Sequence, residues 1–459
     1  MGKRFSPFRR APASRLARAS VRFLIALACS LLIVPVPLAR GQEPEPHEKL
    51  VRAGRLLDVR AGRLLEDQGV LIVGERIRAV GPYAEIARRA STDAQRIDLS
   101  SATVLPGLID CHTHVLLQGD VTSADYDEQL LKEAIPYRAL RASVAARTAV
   151  MNGFTTIRDL GTEGAMYADV DVKKAIENGV IVGPRMFVAT RAFSATGMYP
   201  ITGYAWELKM PEGVQFVDGP EEIRRGVREQ VKYGADWIKV YVDRRYYFKD
   251  GVLRSMLNFT DEELEAFVTE AHRLGRRIAA HAMGRDGIAA AVRHGFDSIE
   301  HGYGLDEGLM DEMIKRGIFW CPTIYVGVYV APGRAAAGAP VWLQMRDAEA
   351  RAFQLAARKG VRIAYGTDAG GYPWTENEAK EFSFMVQYGM TPLDALRSAT
   401  LVAAELLDAQ GDIGAIEAGK RADIIAVAGD PLRDIKELER VRFVMKGGAV
   451  LRDELSTRR

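Results

Sequence analysis

From about residue 104 onward, short apolar runs alternate with longer amphipathic stretches along this chain of 459 residues. An apolar run with β-branched residues is typical of a buried strand, and an amphipathic stretch is typical of a helix. Eight such strand–helix units predict an α/β fold, a (β/α)8 TIM barrel, with every strand parallel to its neighbours. The eight apolar runs are GLIDCHTHV, TTIRDL, RMFVATRAF, DWIKVYV, RRIAAHAM, DSIEHG, GIFWCPTIYV and VRIAYGTDAG.

Both ends of the chain follow a different pattern. Residues 42–105 and 406–459 contain shorter apolar runs that are broken by glycine and charged positions, as in GVLIVGERIRAVG and RVRFVMKGGAVLRD. Such a pattern predicts short strands joined by turns. We therefore expect a small composite β-sandwich domain built from both ends, with the barrel at residues 106–405.

Two segments within the barrel region have readable local signals. In the stretch 260–275, Thr260 is followed three residues later by Glu263, which is the spacing of a helix N-terminal capping box. The segment DRRYYFKDGVLRSMLNF, after the fourth strand, is expected to form a long loop.

The first 41 residues have the composition of a targeting segment. Basic residues come first, then the apolar run FLIALACSLLIVPVPLA, then small residues that end at Gly41. This order predicts a signal peptide at residues 1–41 and a secreted or periplasmic protein. A retained membrane anchor is the alternative, but Pro35 and Pro37 interrupt the run, so no stable anchor is expected after cleavage.

Cleavage also changes the charge of the chain. Residues 1–41 hold eight Lys or Arg and no acid, so the formal charge falls from +2 to −6, which is 54 bases minus 60 acids. The mature chain therefore gives no electrostatic reason to expect a nucleic-acid partner.

Several polar residues lie at the ends of predicted strands. His112 and His114 are two positions apart, so their side chains point to the same face. The carboxyl ends of barrel strands meet at one rim, where active sites form. Imidazole and carboxylate ligands suit Zn²⁺ or a similar divalent ion, although a single strand histidine is more often a packing residue. The other strand-end residues are Lys239, His281, His301 and Asp368.

Lys239 needs a separate explanation because a buried ammonium group is costly. One possibility is an ion pair with an acid on a neighbouring strand. The other is reaction of the amine with CO₂ to give an anionic carbamate, which could bridge two metal ions. The spacing of the residues does not decide between the two.

In this order, GLIDCHTHV, IKVY, AAHAMG, SIEHG and YGTDAG resemble the motifs of the binuclear metal-dependent amidohydrolase superfamily. Within it the chain is most similar to the prolidase-like (Xaa-Pro dipeptidase-like) peptidases of the M38 type, a group that includes ochratoxin-degrading amidohydrolases. The resemblance implies two divalent ions, most suitably Zn²⁺. His112, His114 and Asp368 would hold one ion, and His281 and His301 the other.

The same resemblance implies that Lys239 is carboxylated (N6-carboxylysine) and bridges the ions. A hydroxide shared by the two ions would attack the amide, and Asp368 would be the catalytic acid–base. Tyr241 and Tyr303 are candidate substrate-binding residues, although each could equally pack within the barrel. Relatives often carry a histidine or tyrosine where this chain has Met283, so a more apolar pocket is expected.

These observations predict a metal-dependent amidohydrolase or dipeptidase. Its substrate would be a small-molecule amide: the C-terminal amide bond of a dipeptide or N-acyl amino acid, with ochratoxin-like amides as a variant. A cyclic-amide (imidazolone-type) hydrolase or a deaminase on the same barrel is an alternative, but such relatives typically lack the strand-4 lysine. A non-catalytic barrel scaffold is another alternative, although such relatives usually lose ligands. Similar proteins are commonly homo-oligomers.

Overall fold

Parallel strands and amphipathic helices alternate through the middle of the chain in the computed structural model, which describes residues 48–199, 201 and 203–455. The signal peptide expected at residues 1–41 lies outside the described residues. Within the described ranges, no helix has both the length and the apolar character that a membrane crossing requires.

Eighteen strands occur in the described chain. They are β1 (Glu48–Asp58), β2 (Arg63–Val73), β3 (Arg76–Pro82), β4 (Gln95–Pro106), β5 (Leu108–Thr113), β6 (Phe154–Asp159), β7 (Arg185–Val188), β8 (Phe193–Ser194), β9 (Gln215–Phe216), β10 (Trp237–Tyr241), β11 (Asp243–Lys249), β12 (Val252–Leu257), β13 (Arg277–Ala282), β14 (Ser298–His301), β15 (Phe319–Cys321), β16 (Ile424–Val427), β17 (Phe443–Lys446) and β18 (Ala449–Asp453).

The described chain also contains thirteen α-helices, a π-helical turn at Ser398–Val402 and a 3-10 helix at Ile435–Arg440. The α-helices are α1 (Tyr83–Ala87), α2 (Ser123–Lys132), α3 (Ile135–Met151), α4 (Ala168–Glu177), α5 (Gly219–Lys232), α6 (Asp261–Arg273), α7 (Arg285–His294), α8 (Glu307–Arg316), α9 (Ile324–Ala336), α10 (Val341–Lys359), α11 (Lys380–Gln387), α12 (Pro392–Arg397) and α13 (Ala403–Leu406).

The strands of the central region form two parallel sheets. One has the order β5-β6-β7, and the other has the order β15-β14-β13-β10-β8-β9. Backbone bonds also link these sheets to neighbouring segments: Asp236 N donates to Val188 O at 2.8 Å, and Cys111 N donates to Tyr365 O at 2.8 Å. This mixed α/β arrangement is consistent with a TIM barrel, although the strands are assigned to two sheets and not to one closed ring.

Seven of the eight predicted apolar runs contain strands, whereas VRIAYGTDAG does not. In that segment only isolated bridges occur, from Ile363 to Trp320 and from Ala369 to Thr113. Some backbone bonds to neighbouring strands remain, such as Asp368 N to the His112 carbonyl oxygen, but side chains take the place of others. Thr367 N donates to Asp110 Oδ1 at 3.1 Å, and Ala369 N donates to the Thr367 hydroxyl at 3.1 Å. Amides that bind side chains cannot pair with a neighbouring strand, so the segment is extended but irregular.

Strands from both ends of the described chain pair in one seven-stranded sheet of order β18-β17-β16-β4-β1-β2-β3. The junction is antiparallel, with Leu105 of β4 opposite Ile425 of β16. Apolar residues on one face, among them Val51, Val70 and Val104, form a separate core cluster. The structure shows a single sheet here, so the expected two-sheet sandwich is not confirmed.

The long loop expected after the fourth strand is wrong, because the segment folds as an antiparallel hairpin of β11 and β12. Lys249 pairs with Val252, so the connection is the two-residue turn Asp250-Gly251. Both turn residues have positive φ angles, +53° and +75°. An Asp-Gly pair in that conformation is the turn whose twist matches a β-hairpin.

The capping box expected at the start of α6 is confirmed. Glu263 N donates to the Thr260 hydroxyl at 3.3 Å, and Thr260 N donates to Glu263 Oε2 at 2.8 Å. These two bonds satisfy amides that have no partner inside the helix.

Candidate metal centre

The six predicted site residues line one cavity of about 300 Å³. Four lie on strands, His114 directly follows β5, and Asp368 lies in the irregular eighth segment. The ring centroids of His112 and His301 lie 4.9 Å apart, and those of His281 and His301 lie 4.6 Å apart. One potential ligand atom from each of His112, His301 and Asp368 lies within 4.8 Å of the other two. His114, His281 and Lys239 line the same cavity.

The strand-1 histidines are each held through Nδ1. His112 Nδ1 lies 2.8 Å from Glu300 Oε2, and His114 Nδ1 lies 2.8 Å from the carbonyl oxygen of Gly161. Because both partners are acceptors, each Nδ1 carries the proton. Burial lowers the pKa of His112, so its Nε2 keeps a lone pair. In His114 burial is outweighed by Asp368 beside Nε2, which raises the pKa of the ring to about 9, so a metal ion bound there would displace a proton. His112 Nε2 is buried with no hydrogen-bond partner in the described chain. A buried nitrogen of this kind suits a metal ion.

The histidines of strands β13 and β14 are held by hydroxyl groups. His301 Nδ1 lies 2.9 Å from the Thr323 hydroxyl, and His281 Nε2 lies 2.7 Å from the Tyr246 hydroxyl. The free ring nitrogen is therefore Nε2 in His301 and Nδ1 in His281. Burial lowers the pKa of His281 and lowers that of His301 to about 3, so both rings are neutral at pH 7. Neutral imidazole is the form that binds a metal.

A buried ion pair supports the strand-1 ring. Arg158 Nη2 donates to Glu300 Oε1 at 2.9 Å, and both side chains are 0% exposed. The Ser298 hydroxyl donates to the same carboxylate oxygen. Glu300 therefore uses one oxygen for Arg158 and Ser298 and the other for His112, which fixes the orientation of the imidazole.

Lys239 lies on β10 with its Nζ buried and without a hydrogen-bond partner among the described residues. Burial lowers the pKa of this amine to about 8, although the negative charges of Glu300 and Asp368 act to raise it. One explanation that the sequence allowed, an ion pair between Lys239 and a neighbouring acid, is therefore not seen among the described residues. An amine that is partly unprotonated near pH 8 is in the form that reacts with CO₂, and the resulting anion would suit two cations.

Asp368 has a left-handed backbone, with φ at +58°, and its amide donates to the His112 carbonyl oxygen at 2.7 Å. Its Oδ1 lies 3.2 Å from His114 Nε2 and 3.6 Å from His112 Nε2. Burial alone would raise the pKa of this carboxyl group, but the imidazoles of His112 and His114 hold it below its usual value. The carboxylate is therefore ionised and faces the cavity.

The turn after Asp368 depends on a glycine. Gly370 has φ at +110°, and a Cβ there would lie 2.3 Å from the His114 carbonyl oxygen. The close backbone approach brings the Asp368 turn against the strand that carries His112 and His114.

Tyr241, a candidate substrate contact, lies in the cavity wall, but its hydroxyl already donates to Glu163 Oε1 at 2.9 Å. Tyr126 donates to Glu163 Oε2 at 2.9 Å, and Tyr199 donates to the same oxygen. Arg244 lies over the rings of Tyr199 and Tyr241, 4.7 and 4.4 Å from their centroids. Of this group the sequence pointed to Tyr241 but not to Glu163, on which the three tyrosine hydroxyls converge. Its only signal is an acid between glycines in the segment GTEG.

A second group of lining residues is mainly apolar. Tyr303, the second candidate contact, lines the cavity and is buried, as is Met283. Val326 and Val330 of α9 and Trp342 of α10 complete this group. The apolar character expected at position 283 is therefore shared by the surrounding surface.

The chain matches the Amidohydrolase family over residues 103–451. It is 32% identical over 448 residues to the ochratoxinase of Aspergillus niger, which covers 91% of this chain and 89% of that protein. A structure of a Xaa-Pro dipeptidase with methionine bound in its active site is 34% identical, with a TM-score of 0.79, and covers 88% of this chain and 100% of that one. A prolidase complexed with N-methylphosphonate-L-proline is 30% identical, with a TM-score of 0.78, and covers 89% and 100%.

The family match spans well over half of the chain, and the relatives extend it to almost all of the described residues. The cavity brings together imidazole groups and an ionised carboxylate, which are the groups that metal-assisted hydrolysis uses. The chain belongs to the amidohydrolase family and is a hydrolase that acts on carbon–nitrogen bonds.

Proposed function

We propose that this chain is a dipeptidase or N-acyl amino acid hydrolase that uses two divalent metal ions, most suitably Zn²⁺. The observation that carries the proposal is the convergence of four imidazoles, one ionised carboxylate and one partnerless amine on a single cavity. In the proposed arrangement His112, His114 and Asp368 hold one ion, and His281 and His301 hold the other. Lys239, carboxylated by CO₂, bridges them.

The protein supplies the acid–base chemistry and the binding surfaces. Bound metal ions would supply Lewis acidity toward the amide carbonyl and a water of lowered pKa. Asp368, ionised and facing the cavity, accepts the proton of the attacking water and then donates it to the leaving nitrogen. The ordinary pKa of a carboxyl group lies far below that of an amine, so the second transfer is downhill.

Recognition of an amino-acid leaving group is assigned to two walls of the cavity. The Arg244 guanidinium lies at the cavity over two tyrosine rings, and its Nε is buried without a hydrogen-bond partner in the described chain. A planar guanidinium pairs well with a carboxylate, so Arg244 would bind the C-terminal carboxylate of the substrate. The wall formed by Met283, Val326 and Trp342 would receive an apolar side chain.

The similar proteins support this substrate class. Methionine is bound in the active site of one, and a phosphonate derivative of proline is bound in another. One relative is named an ochratoxinase, so ochratoxin-like amides are a variant substrate to include, and we take their hydrolysis to release an aromatic amino acid. Tyr241 and Tyr303 remain candidate contacts for the substrate carbonyl.

The test is a hydrolysis screen on purified protein loaded with Zn²⁺ and bicarbonate. The panel contains dipeptides and N-acetyl amino acids with apolar C-terminal residues, their C-terminal amides, and ochratoxin A. We expect release of the free amino acid, a preference for substrates with a free carboxylate, and a fall in kcat of about 10²–10⁴-fold in Asp368→Asn. Release of ammonia from adenine or opening of an imidazolone ring, with no amide turnover, would contradict the proposal. Absence of all turnover in the metal-loaded protein would favour a scaffold.

Three further proposals concern the whole chain. We propose that the two parallel sheets belong to one closed barrel, flanked by a composite β-domain from residues 42–105 and 406–459. We also propose that residues 1–41 are removed during export to the periplasm or medium, and that the mature chain forms homo-oligomers. N-terminal sequencing of the exported protein and light scattering in solution test the last two; an intact N-terminus or a monomer would contradict them.

A further inference from the structure

Tyr246 lies on β11, in the hairpin that replaces the expected loop. Its hydroxyl contacts the proposed metal ligand His281 at the ring nitrogen that is not assigned to the metal. The phenol oxygen is 2.7 Å from His281 Nε2. It is also 3.3 Å from both the backbone oxygen and Oδ1 of Asp243. Tyr246 does not line the cavity, so it would contact neither substrate nor metal ion.

The protons of this group can be placed by counting donors and acceptors. For His281 to bind a cation through Nδ1, that nitrogen must carry a lone pair, so Nε2 must carry the proton. Nε2–H then donates to the Tyr246 oxygen. The single phenol hydrogen must point elsewhere, and the acceptors within reach are the oxygens of Asp243.

Asp243 is anchored in a way that keeps it an acceptor. Its carboxylate accepts the amide of Gly284 at 2.8 Å and the amide of Met283 at 3.1 Å. A Cβ on Gly287 would lie 2.3 Å from Asp243 Oδ2, so helix α7 packs directly against this carboxylate. The residue is fully buried. The chain of bonds therefore has one direction, from His281 through Tyr246 to Asp243.

We propose that Tyr246 is a positioning residue that presents Nδ1 of His281 to the second metal ion. This inference rests on the metal site of the proposed function. The imidazoles of His112 and His114 are oriented by groups of the barrel itself, whereas His281 is oriented by a hairpin that lies outside both parallel sheets. The hairpin therefore sets the affinity of one of the two metal sites.

The experiment compares Tyr246→Phe with Tyr247→Phe, a neighbouring tyrosine of the same hairpin that is 47% exposed. Each variant loses one phenol oxygen and keeps its ring. Metal affinity is measured by competition with a chromophoric chelator, and the visible spectrum is recorded after Co²⁺ loading. We expect Tyr246→Phe to hold one ion normally and the other about 10–100-fold more weakly, with an altered Co²⁺ spectrum. Tyr247→Phe should match the wild type.

Two results would overturn the proposal. In the first, the wild type binds two ions and Tyr246→Phe binds both with an affinity within about twofold of the wild type. The positioning role of Tyr246 would then be wrong, whereas the proposed function would be unaffected. Tyr246→Phe could fail to fold, as judged by circular dichroism. In that case the proposal is tested on wild-type protein that is labelled with ¹⁵N-histidine and loaded with Zn²⁺. Long-range ¹H–¹⁵N spectra should show His281 protonated on Nε2 and His112 on Nδ1. A proton on Nδ1 of His281 is the second overturning result. Failure of the wild type to bind a second ion would overturn the proposed function as well.

Discussion

Replacement of Glu300 by glutamine should destabilise the protein far more than the loss of an ordinary ion pair. Glu300 and Arg158 are both fully buried and 2.9 Å apart. Glutamine has the same shape as glutamate and can still accept hydrogen bonds, but it removes the charge that compensates the guanidinium. Because both oxygens of Glu300 accept hydrogen bonds, the NH₂ group of glutamine must replace one acceptor, so the change removes the charge and one accepted hydrogen bond together.

The magnitude follows from what remains around Arg158. Removal of one partner of a buried ion pair costs about 3–5 kcal/mol, because the other charge stays buried. Arg158 keeps a hydrogen bond to the Ser298 hydroxyl at 3.2 Å and lies over the Trp237 ring at 4.3 Å. These contacts place the expected cost of Glu300→Gln at the lower end, about 3 kcal/mol.

The assay is urea unfolding of the metal-free protein, followed by far-UV circular dichroism. The control is Asp67→Asn, which breaks the exposed Arg52–Asp67 pair and should have little effect on stability, because solvent screens both charges. Adding Arg158→Met to Glu300→Gln removes the orphaned charge and should restore part of the lost stability. The reasoning is refuted if Glu300→Gln costs no more than the surface control, or if the two buried substitutions are additive.

Three more results are expected. Gly370→Ala should lower Tm and metal affinity much more than Gly389→Ala, because both glycines have φ above +100° but only the first has a backbone atom close to the added Cβ; equal effects would contradict this. Hydrogen bonds from Arg273 and a second arginine lower the pKa of Glu270 to about 2, so its stabilising contribution is present above pH 4.5 and is lost as the pH falls through 2. Glu270→Gln should therefore be about 1 kcal/mol less stable at pH 7, and the difference in urea titrations should disappear only as the pH falls below 2. The native mass of metal-loaded protein should exceed that of the chain plus ions by one CO₂, and Lys239→Gln should lose both this increment and tight metal binding; a wild type without the increment would argue against the carbamate.

Much of the site could be predicted because its residues are separated in the chain but share a local signature. His112, His281 and Asp368 each end an apolar strand-like run, and parallel strands bring such ends to one rim. The capping box of Thr260 and Glu263 was equally readable, because its two bonds span only three residues.

The supporting groups could not be predicted, because their contacts join distant positions without a local pattern. Glu300 meets Arg158 across 142 positions, and Glu163 meets Tyr241 across 78. Charge and aromatic content alone give no sign of such partners. The hairpin is a different case: its Asp250-Gly251 turn is a readable signal, but the flanking residues lack the strict alternation of a strand.

The most direct test of the central claim is the metal content of the protein. Purified protein, equilibrated with Zn²⁺ and bicarbonate and then freed of loose metal, is measured by inductively coupled plasma mass spectrometry. The account expects about two ions per chain, and fewer in Lys239→Gln. Retention of no ion by the wild type, or of one ion that is unaffected by loss of the lysine, would contradict it.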